Sequence, residues 1–179
     1  MHPYRIDVSD ILPEIGVSSA VDGEYPLDRL VVGDEIFESR SPVRVSGDIT
    51  NAGEGLVARL DVVAPVVATC ARCLRDFDLD IEAHVDTLYL DPGDIASEDE
   101  DVETVDAEGY VDLAPAIMSA LVLEAPFAPL HDEDCPGLCA ECGADLNTGP
   151  CACDRGVDEA HPFAGLRVLL DDEDAGVAE

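Results

Sequence analysis

No lysine occurs anywhere in this chain of 179 residues, and no tryptophan. The nine basic residues are all arginine, and they face 41 aspartates and glutamates, for a formal charge of −32. A surface so poor in cations repels phosphate. That argues against non-specific electrostatic binding to nucleic acid, duplex DNA included, and favours a basic protein as partner. Two segments hold part of the excess: residues 91–108 carry nine acids and residues 171–179 carry five, with no arginine in either. Without those fourteen, 27 acids still oppose nine arginines, leaving −18 over 152 residues, so the body itself is acidic. General acidity of a salt-adapted proteome would give the same balance, because net charge speaks to solubility rather than to fold.

Other absences narrow the class further. Aromatic residues make up only 4% of the chain while hydrophobic residues make up 47%, so the core must be built from Val, Leu, Ile and Ala. No apolar run approaches the roughly 20 residues that span a bilayer. The start, MHPYRIDVSD, lacks the basic beginning and apolar centre of a secretion signal. A cytoplasmic location is expected, where thiols stay reduced and clustered cysteines bind metal more often than they pair. GxSxG, HExxH and a phosphate-binding glycine loop are all missing, and no nucleophile–base pair stands out, so no enzymatic activity is expected.

What is present begins with strands. Val43, Val45 and Ile49 alternate with Arg44, Ser46 and Asp48, the period-2 pattern of a half-buried strand. NAGEG at 51–55 supplies a turn, and the Val-rich run from Leu56 to Thr69 follows, with Pro65 suggesting a bulge or an edge position. A third strand places Phe77, Leu79, Ile81, Ala83, Val85, Thr87 and Tyr89 on one face and Asp78, Asp80, Glu82, His84 and Asp86 on the other. This reads as an antiparallel meander with one wet face. Before it, a short strand over Tyr4–Val8 and turn-rich sequence to residue 40 give little pattern. After it, residues 91–108 read as a mobile acidic loop. Asp112 then looks like the cap of a helix running to about Glu124, with Leu113, Ile117 and Leu121 on one stripe and APFAP as its stop. HPFAGLRVLL offers a short amphipathic helix before the acidic tail. The expected class is α+β: a small antiparallel sheet with one packed helix over residues 1–130, a cysteine-rich arm over 131–170, and a tail over 171–179.

Seven cysteines carry the chemistry: Cys70, Cys73, Cys135, Cys139, Cys142, Cys151 and Cys153. Cys70 and Cys73 sit in TCARCL between the second and third strands, where a tight turn presents both sulfurs to one side, as a zinc knuckle does. A redox CxxC would open a helix, whose dipole lowers the thiol pKa; here a strand follows. Cys139 and Cys142 in CAECG form a second knuckle, and Cys151 and Cys153 in CAC can close it, giving four thiolates within fifteen residues. Such short modules use metal in place of a core they are too small to have. Cys135 is left over. His131 lies four residues before it, a spacing that suits two ligands on one metal, and Cys70 with Cys73 would complete the set. The count then closes at two tetrahedral sites with eight ligands. Spacing alone also allows Cys135 to replace one of the CAC sulfurs, or an acid or water to stand in for His131. His2, His84 and His161 have no partner at ligand spacing. All-sulfur tetrahedral sets are typical of zinc, and a full set of four leaves no position for a reactive water, so two structural Zn2+ are expected. Arg72 and Arg75 flank the first knuckle and read either as an offset to thiolate charge or as a small anion or RNA contact.

Taken together, CARCL before an acidic strand, LEAPFAPLHDEDC, CPGLCAECGADLN, CAC and HPFAGLRVLL resemble the YceD family, the bacterial large ribosomal RNA subunit accumulation proteins. The resemblance runs from roughly residue 40 to 170. It implies a non-enzymatic role in producing, processing or stabilising large-subunit (23S) ribosomal RNA, with proteins of the large subunit or a pre-ribosomal particle as partners. Members with an incomplete C-terminal arm keep the CxxC and the HDxxC-type segment, which supports assigning Cys70, Cys73, His131 and Cys135 to one site. The missing lysine and high acidity of this chain depart from a direct RNA binder. A competing class is a thiol-redox or zinc-handling protein that uses the Cys70–Cys73 pair.

Overall fold

The computed structural model describes residues 2–90 and 103–153. The chain divides into two compact units, Met1–Cys135 and Pro136–Glu179. Among the described residues of the first lie eight strands and one α-helix: β1 (Arg5–Asp7), β2 (Ser18–Tyr25), β3 (Arg29–Val32), β4 (Glu35–Ser39), β5 (Val43–Asn51), β6 (Leu56–Thr69), β7 (Asp76–Tyr89), β8 (Tyr110–Asp112) and α1 (Ala114–Glu124). The sheet is larger than a three-strand meander. Six strands join it, all pairings antiparallel, in the order β2-β5-β6-β4-β3, with β7 on β6 as well. β1 and β8 form a separate antiparallel pair.

β6 is the spine, not an edge. It pairs with β7 along its whole length, with β5 from Leu56 to Val63, and with β4 at Val66 and Val67. Pro65 falls in the interval between those last two partners. Its carbonyl accepts from the Arg40 N–H at 2.9 Å, so its nitrogen points to that same side, where no ladder bond is required of it. The expectation of an edge position is therefore corrected: a proline is tolerated mid-sheet because its strand changes partner there.

Alternation built the inner face. Leu56, Ala58, Leu60, Val62, Ala64, Val66 and Ala68 of β6 are all buried, as are Ile81, Ala83, Val85 and Tyr89 of β7. α1 covers this face with Ile117 and Leu121, while Asp112 accepts from the Ala114 N–H at 3.0 Å and from the Tyr4 N–H at 2.8 Å. The Asp112 carboxylate thus ties the helix start to the N-terminal segment, although the cap position itself is taken by Leu113 rather than by Asp112 as expected. Gly47 of β5 approaches β6 so closely that a Cβ would stand 2.1 Å from the Arg59 carbonyl.

Three strands of the first 40 residues, β2, β3 and β4, escape a sequence reading. β2 buries only Val21 and Tyr25, too sparse a pattern to register against the surrounding turns. Asn51, in the turn read as NAGEG, does more than turn. Its buried amide donates to the carbonyls of Ile11 and Leu12 at 3.0 Å each and accepts from the Gly53 N–H at 2.8 Å. Residues 91–102 of the expected acidic loop lie outside the described residues, as do the expected helix at 161–170, His161 and the acidic tail. Residues 103–106 are partly or fully buried, while Ala107 and Glu108 are exposed: Val105 is buried and bonds to Leu90, and the Asp106 carboxylate accepts from the N–H groups of Glu108 and Tyr110 while pairing with Arg5. No helix among the described residues is long and apolar enough to cross a membrane.

Candidate metal centres

The β6–β7 turn is where the first four side chains converge. The Cys70 N–H donates to the Arg75 carbonyl at 2.8 Å, and the Leu74 N–H returns to the Cys70 carbonyl at 2.9 Å. That closes the turn with Leu74 in the left-handed region, φ 59°, an uncommon conformation for a residue with a branched side chain. The loop after α1 is held alongside: Ala71 donates to the Pro129 carbonyl at 2.8 Å, and the Arg72 guanidinium donates to the carbonyls of Glu133 and Cys135 at 3.0 Å each. The Phe77 ring meets the His131 imidazole edge to face, with centroids 6.3 Å apart.

The result is a set of four. The Sγ atoms of Cys70, Cys73 and Cys135 and a ring nitrogen of His131 all lie within 4.8 Å of one another. The Cys70 and Cys135 sulfurs are 3.9 Å apart, and the Cys73 sulfur is 3.5 Å from His131 Nδ1. Ligands about 2.3 Å from a tetrahedral ion stand roughly 3.8 Å from one another, and a nitrogen ligand a little closer, so the spacing fits a zinc-sized cation. The three sulfurs are buried and His131 partly so. Burial pushes the Cys70 thiol up, but hydrogen bonds from the His131 ring and from the backbone of His131, Cys73 and Arg72 outweigh it and bring it down to about 5. The neighbouring Cys73 thiol moves the other way, raised by burial and by the sulfurs beside it. One thiolate is favoured and the next is resisted, which is the electrostatics of a donor set suited to a cation.

The second set repeats the device within one short segment of the other unit. The Cys139 N–H donates to the Ala144 carbonyl and the Gly143 N–H to the Cys139 carbonyl, both at 2.8 Å, with Gly143 at φ 70°. A 3-10 turn, Leu146–Thr148, is capped by Asp145 and anchored by the Leu146 N–H on the Gly137 carbonyl at 3.0 Å. It brings Cys151 and Cys153 back to the knuckle, and the four sulfurs lie within 4.8 Å of one another, Cys139 and Cys151 at 3.4 Å. Backbone N–H groups of Cys142 and Glu141 hold the Cys139 thiol down to about 6. The Cys142 sulfur and burial push Cys153 up to about 12. Cys139 is buried, Cys142 is exposed, and Cys151 and Cys153 are half-exposed.

The structure therefore brings together the eight side chains singled out by spacing, in two groups of four that could each hold a metal ion. Neither Arg72 nor Arg75 stands apart from the turn. Arg72 braces it through the two carbonyls, and the Arg75 carbonyl closes it. His84 pairs with Asp61 on the exposed face at 2.9 Å, and His2 lies near the start of the chain, neither in a donor cluster among the described residues. Sequence reasoning missed the bracing role of Arg72 and the αL position of Leu74. A signal for the latter exists in the parallel between CARCLR and CAECGA, where leucine stands in the first at the place glycine takes in the second.

Residues 58–170 match the family described as "Large ribosomal RNA subunit accumulation protein YceD". An uncharacterized protein of Mycobacterium leprae is 30% identical over 152 residues, covering 83% of this chain and 70% of the relative. One from Mycobacterium tuberculosis is 35% identical over 105 residues, 57% of this chain and 50% of its own. A protein of Zea mays named large ribosomal RNA subunit accumulation protein YCED homolog 1, chloroplastic, is 29% identical over 162 residues, 72% of this chain and 55% of its own. The chain thus spans about half the length of the latter two. No solved structure matches it. The matched stretch contains the β6–β7 hairpin from Ala58 onward, the helix and both groups of four donors, and on that match the chain belongs to the YceD family.

Proposed function

We propose that this chain is a non-enzymatic factor for the synthesis, processing or stability of large-subunit ribosomal RNA, working in the cytoplasm through basic proteins of the large subunit or its precursor. The family match over residues 58–170 carries this reading. Charge supports the choice of a protein partner: the wet face of β7 exposes Asp76, Asp78, Asp80, Glu82 and Asp86, and the chain as a whole stands at −32. DNA and membrane surfaces are not partners on this reading.

Zinc is structural here. Cys70, Cys73, His131 and Cys135 would hold one ion, and Cys139, Cys142, Cys151 and Cys153 the other. When bound, the ions supply cross-links and charge neutralisation rather than a Lewis-acid water, because each set is already complete at four. Burial of Cys70 and Cys73 speaks for that role and against exchange chemistry at this pair.

The test is depletion of the protein in its own cells combined with affinity purification in physiological salt. Large-subunit proteins or precursor RNA should co-purify, and free large subunits should fall relative to small ones. Unchanged subunit profiles with neither partner recovered would overturn the proposal.

A further inference from the structure

The two donor sets differ in access as much as in position. Cys70, Cys73 and Cys135 are 0%, 7% and 2% exposed, under a loop that Arg72 clamps shut through the carbonyls of Glu133 and Cys135. In the second set only Cys139 is buried. An open surface hollow of about 500 Å3 is lined by Pro136, Leu146, Pro150 and two of its cysteines, Cys151 and Cys153. Cys151 stands at that hollow with the Cys139 sulfur 3.4 Å behind it. A small oxidant can thus reach Cys151, whose sulfur lies in contact with another thiol, and among the described residues the buried core belongs to the first unit.

We propose that the second set is an oxidation-sensitive site at which a peroxide links Cys139 to Cys151 and displaces the bound zinc, while the first set stays reduced. The inference rests on the metal reading above for the zinc, and on accessibility and sulfur distance for the thiols. In the first step the Cys151 thiolate attacks one peroxide oxygen. An S–O bond forms, the O–O bond breaks, and the departing oxygen leaves as hydroxide. In the second, the Cys139 thiolate attacks the Cys151 sulfur; the S–S bond forms, the S–O bond breaks, and a second hydroxide leaves. Two thiolates give up two electrons and the peroxide takes them, ending as two hydroxides that the buffer protonates to water. Cys142 and Cys153 alone cannot hold the ion in a four-coordinate structural site.

The full chain, purified under reducing conditions and assayed for zinc, is treated with hydrogen peroxide while a chromogenic chelator reports released metal and peptide mapping reports thiol state. One zinc of two is expected to leave, in step with a Cys139–Cys151 disulfide. Cys70, Cys73 and Cys135 should remain alkylatable after unfolding, and thiol reductant with added zinc should restore the starting state. A Cys151→Ser variant, which lacks a ligand of the second set, should carry the ion of the first set alone at the outset and keep it on the same treatment. Loss of both ions together, oxidation beginning at Cys70, Cys73 or Cys135, or no disulfide at all would overturn the inference. A chain that carries no zinc at the outset would refute the metal reading alone; the order in which its thiols oxidise would still decide this proposal.

Discussion

The turns at residues 70–75 and 139–144 are one backbone design under two sets of constraints. Both return the fifth residue's N–H to the first cysteine's carbonyl and the first cysteine's N–H to the sixth residue's carbonyl, with matching lengths of 2.8 to 2.9 Å. Both put the residue after the second cysteine at positive φ, 59° for Leu74 and 70° for Gly143. The first is held between two 14-residue strands and takes its remaining donors from a loop some 60 residues away. The second finds all four donors within fifteen residues. A turn backed by a sheet tolerates a strained leucine; one that depends on its own few residues uses glycine, which adopts that conformation without strain. Packing, in the first case, substitutes for local fitness.

The largest effect that could break this comparison is loss of a ligand. Cys70→Ser should remove the first zinc and destabilise the Met1–Cys135 unit by roughly 4 kcal/mol or more, since it unmakes a buried site that joins a hairpin to a loop. Cys142→Ser should remove the second zinc yet leave the denaturation of that unit within about 0.5 kcal/mol of the parent. Equal losses in chemical denaturation would show that the two sets are not independent. Next comes competition with a chelator: the second zinc should be withdrawn at concentrations that leave the first in place, read as two separate steps by native mass spectrometry. A single step would remove the distinction drawn from burial.

Arg72→Ala is expected to cost about 1–2 kcal/mol by taking away two hydrogen bonds from a charged donor, and to make the first zinc easier to extract without touching the second. Arg72→Lys should restore little, because one ammonium does not reproduce the planar guanidinium. The smallest effects come from exchanging the fifth residues. Gly143→Leu should weaken the second turn by about 1–2 kcal/mol. Leu74→Gly should stabilise the first by less than about 1 kcal/mol, the relief of strain being partly offset by the freedom glycine gives the unfolded chain. A destabilised Leu74→Gly variant would mean that the leucine side chain, 66% exposed, packs against more than its surroundings suggest.

The parts of this fold that could be read in advance are those with a strong period. β5, β6 and β7 announce themselves through alternation, and α1 through Asp112 and the spacing of Ile117 and Leu121. β2, β3 and β4 do not, because β2 buries only two of its eight residues, and β3 and β4 are short strands joined by a turn at Gly33 and Asp34, which leaves too little pattern to count. Pro65 misled for a physical reason: sequence shows that a ladder N–H is missing but not that the neighbouring strand changes at that point. The candidate centres were legible as donor sets because ligand spacing is local chemistry. The union of Cys70 and Cys73 with His131 and Cys135 is tertiary; only counting donors and the resemblance pointed to it. The clamp by Arg72 had no signal at all, since a guanidinium beside cysteines suggests charge before it suggests backbone carbonyls.

The partner change along β6 has one more consequence. A strand that served β4 and β5 with an unbroken row of donors would let either slide along it by two residues and keep its apolar side inward. Pro65 removes a rung at the junction, so neither neighbour gains by creeping toward the other. The residue least suited to a sheet thereby acts as the stop that fixes where one half of it ends and the other begins.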